Sequence, residues 1–142
     1  MKRHLSTLFV IAVMLISCQS DIGKISNAKK SVVFPGVPQA ERFVKYQAEV
    51  ELYKPVSIDK IVIKNAQTEI PVTEFTLIRI PDGKIMSNAD ELKAGKYFFE
   101  ADIQQIDVLE NTDDELVIGI TDKGKQKLLK VKVEKALPIM RK

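Results

Sequence analysis

Apolar and polar residues alternate along several stretches of this chain. In the clearest stretch, residues 44–52, every second side chain from Val44 to Leu52 is apolar, and Lys, Gln or Glu stands between them. Similar alternation runs through 97–103 and 129–133, and shorter β-prone runs occupy 31–34, 58–64, 68–72, 74–80 and 115–121. Alternate side chains of a β-strand point to opposite faces. The pattern therefore predicts seven or eight strands, each with one buried face.

Turn-forming residues separate these runs, as at 35–38, 81–84 and 122–125. A single short helix is predicted from Ser87 to Ala94, with Ser87 as its N-cap. Short strands joined by tight turns favour an all-β domain: one antiparallel β-sandwich over residues 31–135. An up-and-down β-barrel is the alternative.

The segment from Leu92 to Tyr97 refines this prediction. Leu92, Gly95 and Tyr97, followed by an alternating strand, resemble the tyrosine corner of immunoglobulin-like domains. The resemblance implies an immunoglobulin-like sandwich in which the Tyr97 hydroxyl bonds to backbone upstream. The chain lacks the cysteine pair and the core tryptophan that are typical of that family.

The first residues have the pattern of an export signal. Basic residues Lys2 and Arg3 precede nine unbroken apolar residues from Leu8 to Ile16, and Ser17 is small. A membrane-spanning helix needs roughly 20 apolar residues, so this run is too short to span.

The end of this signal, Leu15-Ile16-Ser17-Cys18, resembles the lipobox of bacterial lipoproteins. The resemblance implies recognition of Leu15, Ile16 and Ser17 by a signal peptidase, cleavage before Cys18 and lipid on the Cys18 thiol. Together with the strand pattern, this resemblance predicts a cleaved signal at 1–17, a lipidated flexible tether at 18–30, the sandwich at 31–135 and a tail at 136–142. Gln19, where Asp would favour the inner membrane, indicates the outer membrane, on a face that the sequence leaves open.

The composition excludes several chemistries. Cys18 is the only cysteine, and His4, the only histidine, leaves with the signal. Serine–histidine and cysteine–histidine catalysis cannot be built without them, and zinc sites lose their usual ligands. Cleavage would leave 20 basic and 19 acidic side chains, a balance that predicts no nucleic-acid partner. We expect no cofactor.

Charge is unevenly distributed along the chain. Residues 100–115 hold seven acids and no base, and residues 123–142 hold eight bases and one acid. We interpret most of these as the outward faces of neighbouring strands. The functional alternative places lysines such as Lys130 and Lys132 against phospholipid headgroups or an acidic partner. Asp113, Asp114 and Glu115 are a weak candidate for calcium because their oxygens are hard ligands.

Phe98 is an aromatic residue on the polar face of its strand. We expect a loop or the short helix to cover it; if uncovered, it would mark a contact surface.

Two functions follow from these observations. The first is a membrane-anchored, non-catalytic module of the cell envelope that binds a protein or polymer, or serves as an accessory subunit. The second is a small hydrolase that uses a pair of carboxylates, which would lie about 5–10 Å apart in a pocket. The first is the interpretation that the composition favours.

Overall fold

Two β-sheets face each other across a shared apolar core. The computed structural model describes residues 21–86 and 91–141. In chain order, the described elements are β1 (Gly23–Phe34), β2 (Phe43–Leu52), β3 (Ser57–Lys64), β4 (Glu69–Pro71), β5 (Thr76–Ile80), β6 (Ile85–Met86), β7 (Gly95–Ile103), α1 (Ile106–Leu109), β8 (Glu115–Asp122), β9 (Lys125–Lys132), β10 (Glu134–Lys135) and β11 (Ile139–Met140).

The large sheet has the order β10-β1-β2-β7-β5-β6, with β11 also paired to β1, and the small sheet has the order β4-β3-β8-β9. The predicted all-β sandwich is confirmed, and the alternative of a closed barrel is wrong because the strands form two separate sheets. Pairing is antiparallel throughout, except that β10 and β11 run parallel to β1.

The core follows the alternation seen in the sequence. Val44, Tyr46, Ala48, Val50 and Leu52 of β2 are all buried. From the small sheet, β3 and β8 contribute a second apolar layer: Ile61, Ile63, Leu116, Ile118 and Ile120. Removal of these two layers from water is the main favourable contribution to folding.

The predicted tether is wrong over most of its length, because β1 begins at Gly23 rather than after Lys30. A β-bulge between Ser26 and Lys29 shifts the register against β2, and Asn27 takes a positive φ of 51° there. The inward positions Ile25 and Ala28 are consequently three residues apart. Because of this spacing, the first half of β1 lacks the regular alternation of apolar and polar residues from which the other strands were predicted.

The predicted C-terminal tail is also wrong, because residues 136–141 continue along the edge of the large sheet. The N–H of Ala136 donates to the Lys30 carbonyl at 2.8 Å, and the N–H of Arg141 donates to the Phe34 carbonyl at 3.0 Å. These hydrogen bonds pair backbone groups that would otherwise be unpaired at the edge strand β1. The local sequence pattern of residues 136–141 does not reveal this pairing.

The short helix predicted over 87–94 lies partly outside the described residues, at 87–90. Its described part is not helical: Leu92 and Val56 exchange two backbone hydrogen bonds, at 2.8 and 2.9 Å, which extend the chain there. A one-turn helix, α1, forms instead at Ile106–Leu109, where the fully buried Leu109 side chain holds it against the core.

The strands connect two ends of the sandwich. We use the name proximal end for the segments 21–24, 53–57, 81–84, 91–96 and 121–127. We use the name distal end for the opposite end, which contains the loops 35–42, 65–68 and 104–114. Register pairs Gly23 with Leu52 and Leu52 with Gly95 at the proximal end of the large sheet, and Ser57 with Thr121 at that of the small sheet.

Candidate functional site

The described chain begins at the proximal end, where its first two residues already contact other segments of the domain. The Asp21 carboxylate accepts a hydrogen bond from the Lys127 ammonium at 2.6 Å, and the Lys54 ammonium lies 3.9 Å from it. Ile22 is only 1% exposed, and its carbonyl accepts the N–H of Tyr53 at 2.7 Å. The contacts described for the domain therefore begin at Asp21, three positions after Cys18.

These ion pairs join the two sheets at the surface. The hydrogen bond from Lys127 holds the pKa of the Asp21 carboxyl below its ordinary value. The ammonium of Lys54 also lies 2.7 Å from the Asp122 carboxylate, and that hydrogen bond raises the pKa of Lys54. Lys54 thus carries its positive charge at the proximal end.

The two ends of the sandwich differ in charge. The proximal segments hold eight lysines and four acids. The distal loops hold one base, Arg42, and five acids. Arg141 also lies at the distal end, over the Phe43 ring, and Lys30 neutralises the buried Asp114 there. The proximal end is therefore the more basic of the two ends, a distribution that steers anionic partners to it.

A buried polar cluster lies beneath the distal end. The Lys30 ammonium donates to the Asp114 carboxylate and to the carbonyls of Leu109 and Thr112, each at 2.6 Å. The Tyr46 hydroxyl donates to Asp114 at the same distance. Burial, followed by the hydrogen bond to Asp114, raises the pKa of Tyr46 far above its ordinary value.

This cluster connects the two sheets. Lys30 and Tyr46 are register partners on β1 and β2, and Asp114 directly precedes β8. The sequence interpretation missed the cluster because it placed Lys30 in a tether. One signal was available: Tyr46 occupies an inward position, and a buried phenol usually has a hydrogen-bond partner.

A surface hollow of 620 Å³ opens beside the cluster, and Asp113, Asp114, Glu115 and Lys132 line part of it. The Asp114 side chain is 0% exposed and is engaged by Lys30, whereas the Asp113 side chain is fully exposed. Glu115 is the register partner of Lys132. The candidate calcium site is therefore wrong, because these carboxylates do not converge: no group of three metal-ligating side chains occurs among residues 21–86 and 91–141.

The proposed contact residues do not share a surface. Phe98 lies in the large sheet, half-buried, between its register partners Glu49 of β2 and Ile78 of β5. Lys130 and Lys132 are exposed on β9, the edge strand of the small sheet. The structure consequently separates the aromatic residue from the two lysines.

The hydrogen bond of the tyrosine corner is present. The Tyr97 hydroxyl donates to the Lys93 carbonyl at 2.8 Å, four residues upstream, and the Tyr97 and Leu92 side chains are buried. Gly95 takes a positive φ of 147° between them. The corner fixes the start of β7 and is a structural element of the proximal end.

The acidic run is partly neutralised by bases from other strands. The Lys45 ammonium lies 2.7 Å from Glu100 and 3.1 Å from Asp102, across the β2–β7 pair. Arg42 lies 3.7 Å from Glu110. Much of the segregation along the chain is thus complementary pairing across neighbouring strands, as the sequence interpretation expected.

The lipobox residues Leu15, Ile16, Ser17 and Cys18 lie outside the described residues. Within the part of the chain that is described, no helix is long and apolar enough to cross a membrane.

No protein-family model and no curated protein matches the sequence. Among solved structures, an uncharacterised β-sandwich protein from Clostridium difficile is similar, with 14% identity and a TM-score of 0.36. The match covers 79% of this chain and 87% of that protein.

Proposed function

We propose that the chain is a bacterial lipoprotein precursor, cleaved before Cys18 and anchored by lipid on that cysteine. Its β-sandwich acts outside the cytoplasm as a non-catalytic binding or accessory module. Gln19 after the cysteine favours the outer membrane over the inner one.

The observation that carries the proposal is the lipobox Leu15-Ile16-Ser17-Cys18 at the end of a short apolar run. One acyl chain gives only marginal binding, whereas two or three on one residue make a stable anchor.

The test is lipid attachment at Cys18. The full chain would be expressed in a bacterium that processes lipoproteins and fed a clickable fatty acid, beside Cys18→Ser and the neighbouring control Ser20→Ala. Wild type and Ser20→Ala should incorporate the label, and their first peptide should begin at residue 18 with added lipid mass. Label retained in Cys18→Ser, or absent from wild type, would show that the proposal is wrong.

The role as a module is supported by the Asp114 carboxylate, which lines the 620 Å³ hollow but is buried against Lys30 and Tyr46 and so is not available there as a catalytic acid or base. The test is extraction of the lipidated protein from native membranes in mild detergent, followed by native mass measurement. A stoichiometric protein companion would support an accessory subunit. A bare monomer would favour binding of a glycan or envelope polymer, and hydrolysis of such a polymer by the monomer would contradict the proposal.

A further inference from the structure

We infer that the proximal end of the sandwich rests against the membrane surface, with its lysines on anionic phospholipid headgroups and its distal end pointing away. This inference rests on the proposed lipidation of Cys18 and adds an orientation to it. It concerns the described segments 21–24, 53–57, 81–84, 91–96 and 121–127.

The first argument is reach. Two residues, Gln19 and Ser20, separate Cys18 from Asp21. The three steps from one Cα to the next span at most about 3.6 Å each, or about 11 Å in total. Asp21 is held by Lys127 and Ile22 is buried, so no further slack follows. The ten residues of β2 extend about 33 Å at roughly 3.3 Å each. The anchor therefore keeps the proximal end within about 11 Å of the lipidated cysteine, and the length of β2 allows the distal end to point away from the membrane.

The second argument is charge. Eight lysines against four acids give the proximal segments a net positive charge. The distal end has no such excess of bases, because Arg42 and Arg141 lie beside its acids and Lys30 neutralises Asp114. Anionic headgroups attract basic segments within a Debye length of about 8 Å and repel acidic ones. Lys123 and Lys125 are exposed at the β8–β9 turn. The charge of the proximal end thus favours the same orientation as the reach of the anchor.

The third argument is the aromatic residue at this end. Tyr53 is 49% exposed in the segment beside Ile22. Tyrosine combines an apolar ring with a polar hydroxyl, which suits the boundary between headgroups and acyl chains. Its neighbour Lys54 places a positive charge at the same surface.

The experiment measures which end lies near the lipid. Full-length lipidated protein would be reconstituted into vesicles of phosphatidylethanolamine with phosphatidylglycerol, or of phosphatidylcholine alone. Because lipid occupies Cys18, a cysteine introduced as Gln126→Cys at the proximal end or Asn111→Cys at the distal end is the only free thiol. Both positions are exposed and neutral, and each would carry a donor dye for energy transfer to headgroup acceptors.

We expect several-fold stronger transfer from position 126 than from position 111 in the anionic vesicles. Lys123→Glu with Lys125→Glu should reduce that ratio, as should phosphatidylcholine. The control pair Lys130→Glu with Lys132→Glu makes the same charge change further along β9 and should leave the ratio nearly unchanged.

Equal transfer from the two positions, or stronger transfer from position 111, would overturn the orientation while the anchor stands. If the transfer ratio changes neither with the charge of the lipid nor with the substitutions at Lys123 and Lys125, the proposed contact with headgroups would be overturned. Protein that fails to float with the vesicles and carries no lipid on Cys18 would overturn the proposed anchoring and this inference together.

Discussion

The ammonium of Lys30 lies 2.6 Å from the carboxylate of Asp114, and the two side chains are only 4% and 0% exposed. This buried ion pair links β1 of the large sheet to the start of β8 in the small sheet. Lys30 also donates to two backbone carbonyls, and Asp114 accepts from Tyr46 and Thr112. Each charge is thus compensated by several partners in a region that water does not reach.

Replacement of Lys30 by methionine should destabilise the fold strongly. The change keeps the length of the side chain but leaves the Asp114 carboxylate buried without its counter-charge. Removal of one partner from a buried pair decreases the free energy of unfolding by about 3–5 kcal/mol. Urea unfolding of wild type and variant at neutral pH measures this difference.

The matched control is Lys29→Met, one residue earlier on the same strand and exposed. An exposed substitution of this kind should change the free energy of unfolding by less than about 0.5 kcal/mol. If the Lys30 variant were as stable as the Lys29 variant, the buried pair would not link the sheets as described.

Tyr97→Phe should weaken the proximal end modestly. The change removes only the hydroxyl that donates to the Lys93 carbonyl. A hydrogen bond of this type contributes about 1 kcal/mol, so the free energy of unfolding should decrease by roughly that amount. Tyr53→Phe, at an exposed ring, is the control and should be near neutral. Equal effects of the two changes would argue against a tyrosine corner.

Substitution of Gly23 or Gly119 by alanine tests how closely neighbouring atoms pack against these two glycines. A Cβ at Gly23 would meet the backbone carbonyl oxygen of Glu51, which is held in the β1–β2 ladder. A Cβ at Gly119 would lie 2.9 Å from Cγ of Lys60, an exposed side chain that can rotate away. Gly23→Ala should therefore lower the free energy of unfolding by about 1–3 kcal/mol, and Gly119→Ala should lower it less. Thermal unfolding of both variants checks this order, and the reverse order would contradict the packing of β1 against β2.

The ion pair between Lys45 and Glu100 predicts a pH dependence. The hydrogen bond from Lys45 holds the pKa of Glu100 below its ordinary value of 4.5. A carboxyl with a lowered pKa stabilises the fold above its ordinary value, and this contribution is lost as the pH falls through the lowered pKa. The stability lost in Lys45→Met should consequently be largest near neutral pH and should shrink below pH 4.5.

At alkaline pH the contribution of Lys45 to stability has the opposite pH dependence, because its pKa is raised rather than lowered. Burial lowers the pKa of Lys45, but the hydrogen bonds to Glu100 and Asp102 outweigh it and raise that pKa above 10.5. The contribution of Lys45 is therefore present below pH 10.5 and is lost as the pH rises through the raised pKa. Urea unfolding across pH, with the exposed Lys60→Met as control, measures both limits. A difference that stays constant with pH would contradict the pairing.

The strands with regular alternation could be predicted from sequence, and irregular elements could not. β2 was evident because nothing interrupts its period of two between Val44 and Leu52. The first half of β1 was missed because the bulge at Asn27 breaks that period. β10 and β11 were missed because two-residue strands carry no period, and their pairing depends on an edge of β1 that lies far away in the chain.

The sequence by itself determined the all-β class and the absence of histidine from the chain after Cys18, and it contains the lipobox pattern on which the proposed export and anchoring rest. These depend on local composition and spacing, which one stretch of chain contains in full. Only the tertiary structure decided that Lys30 meets Asp114, that Phe98 and Lys130 lie in different sheets, and that eight lysines lie at the end where the described chain begins. These relationships join residues distant in the chain, and the stacking of the two sheets, rather than any local preference, brings them together or keeps them apart.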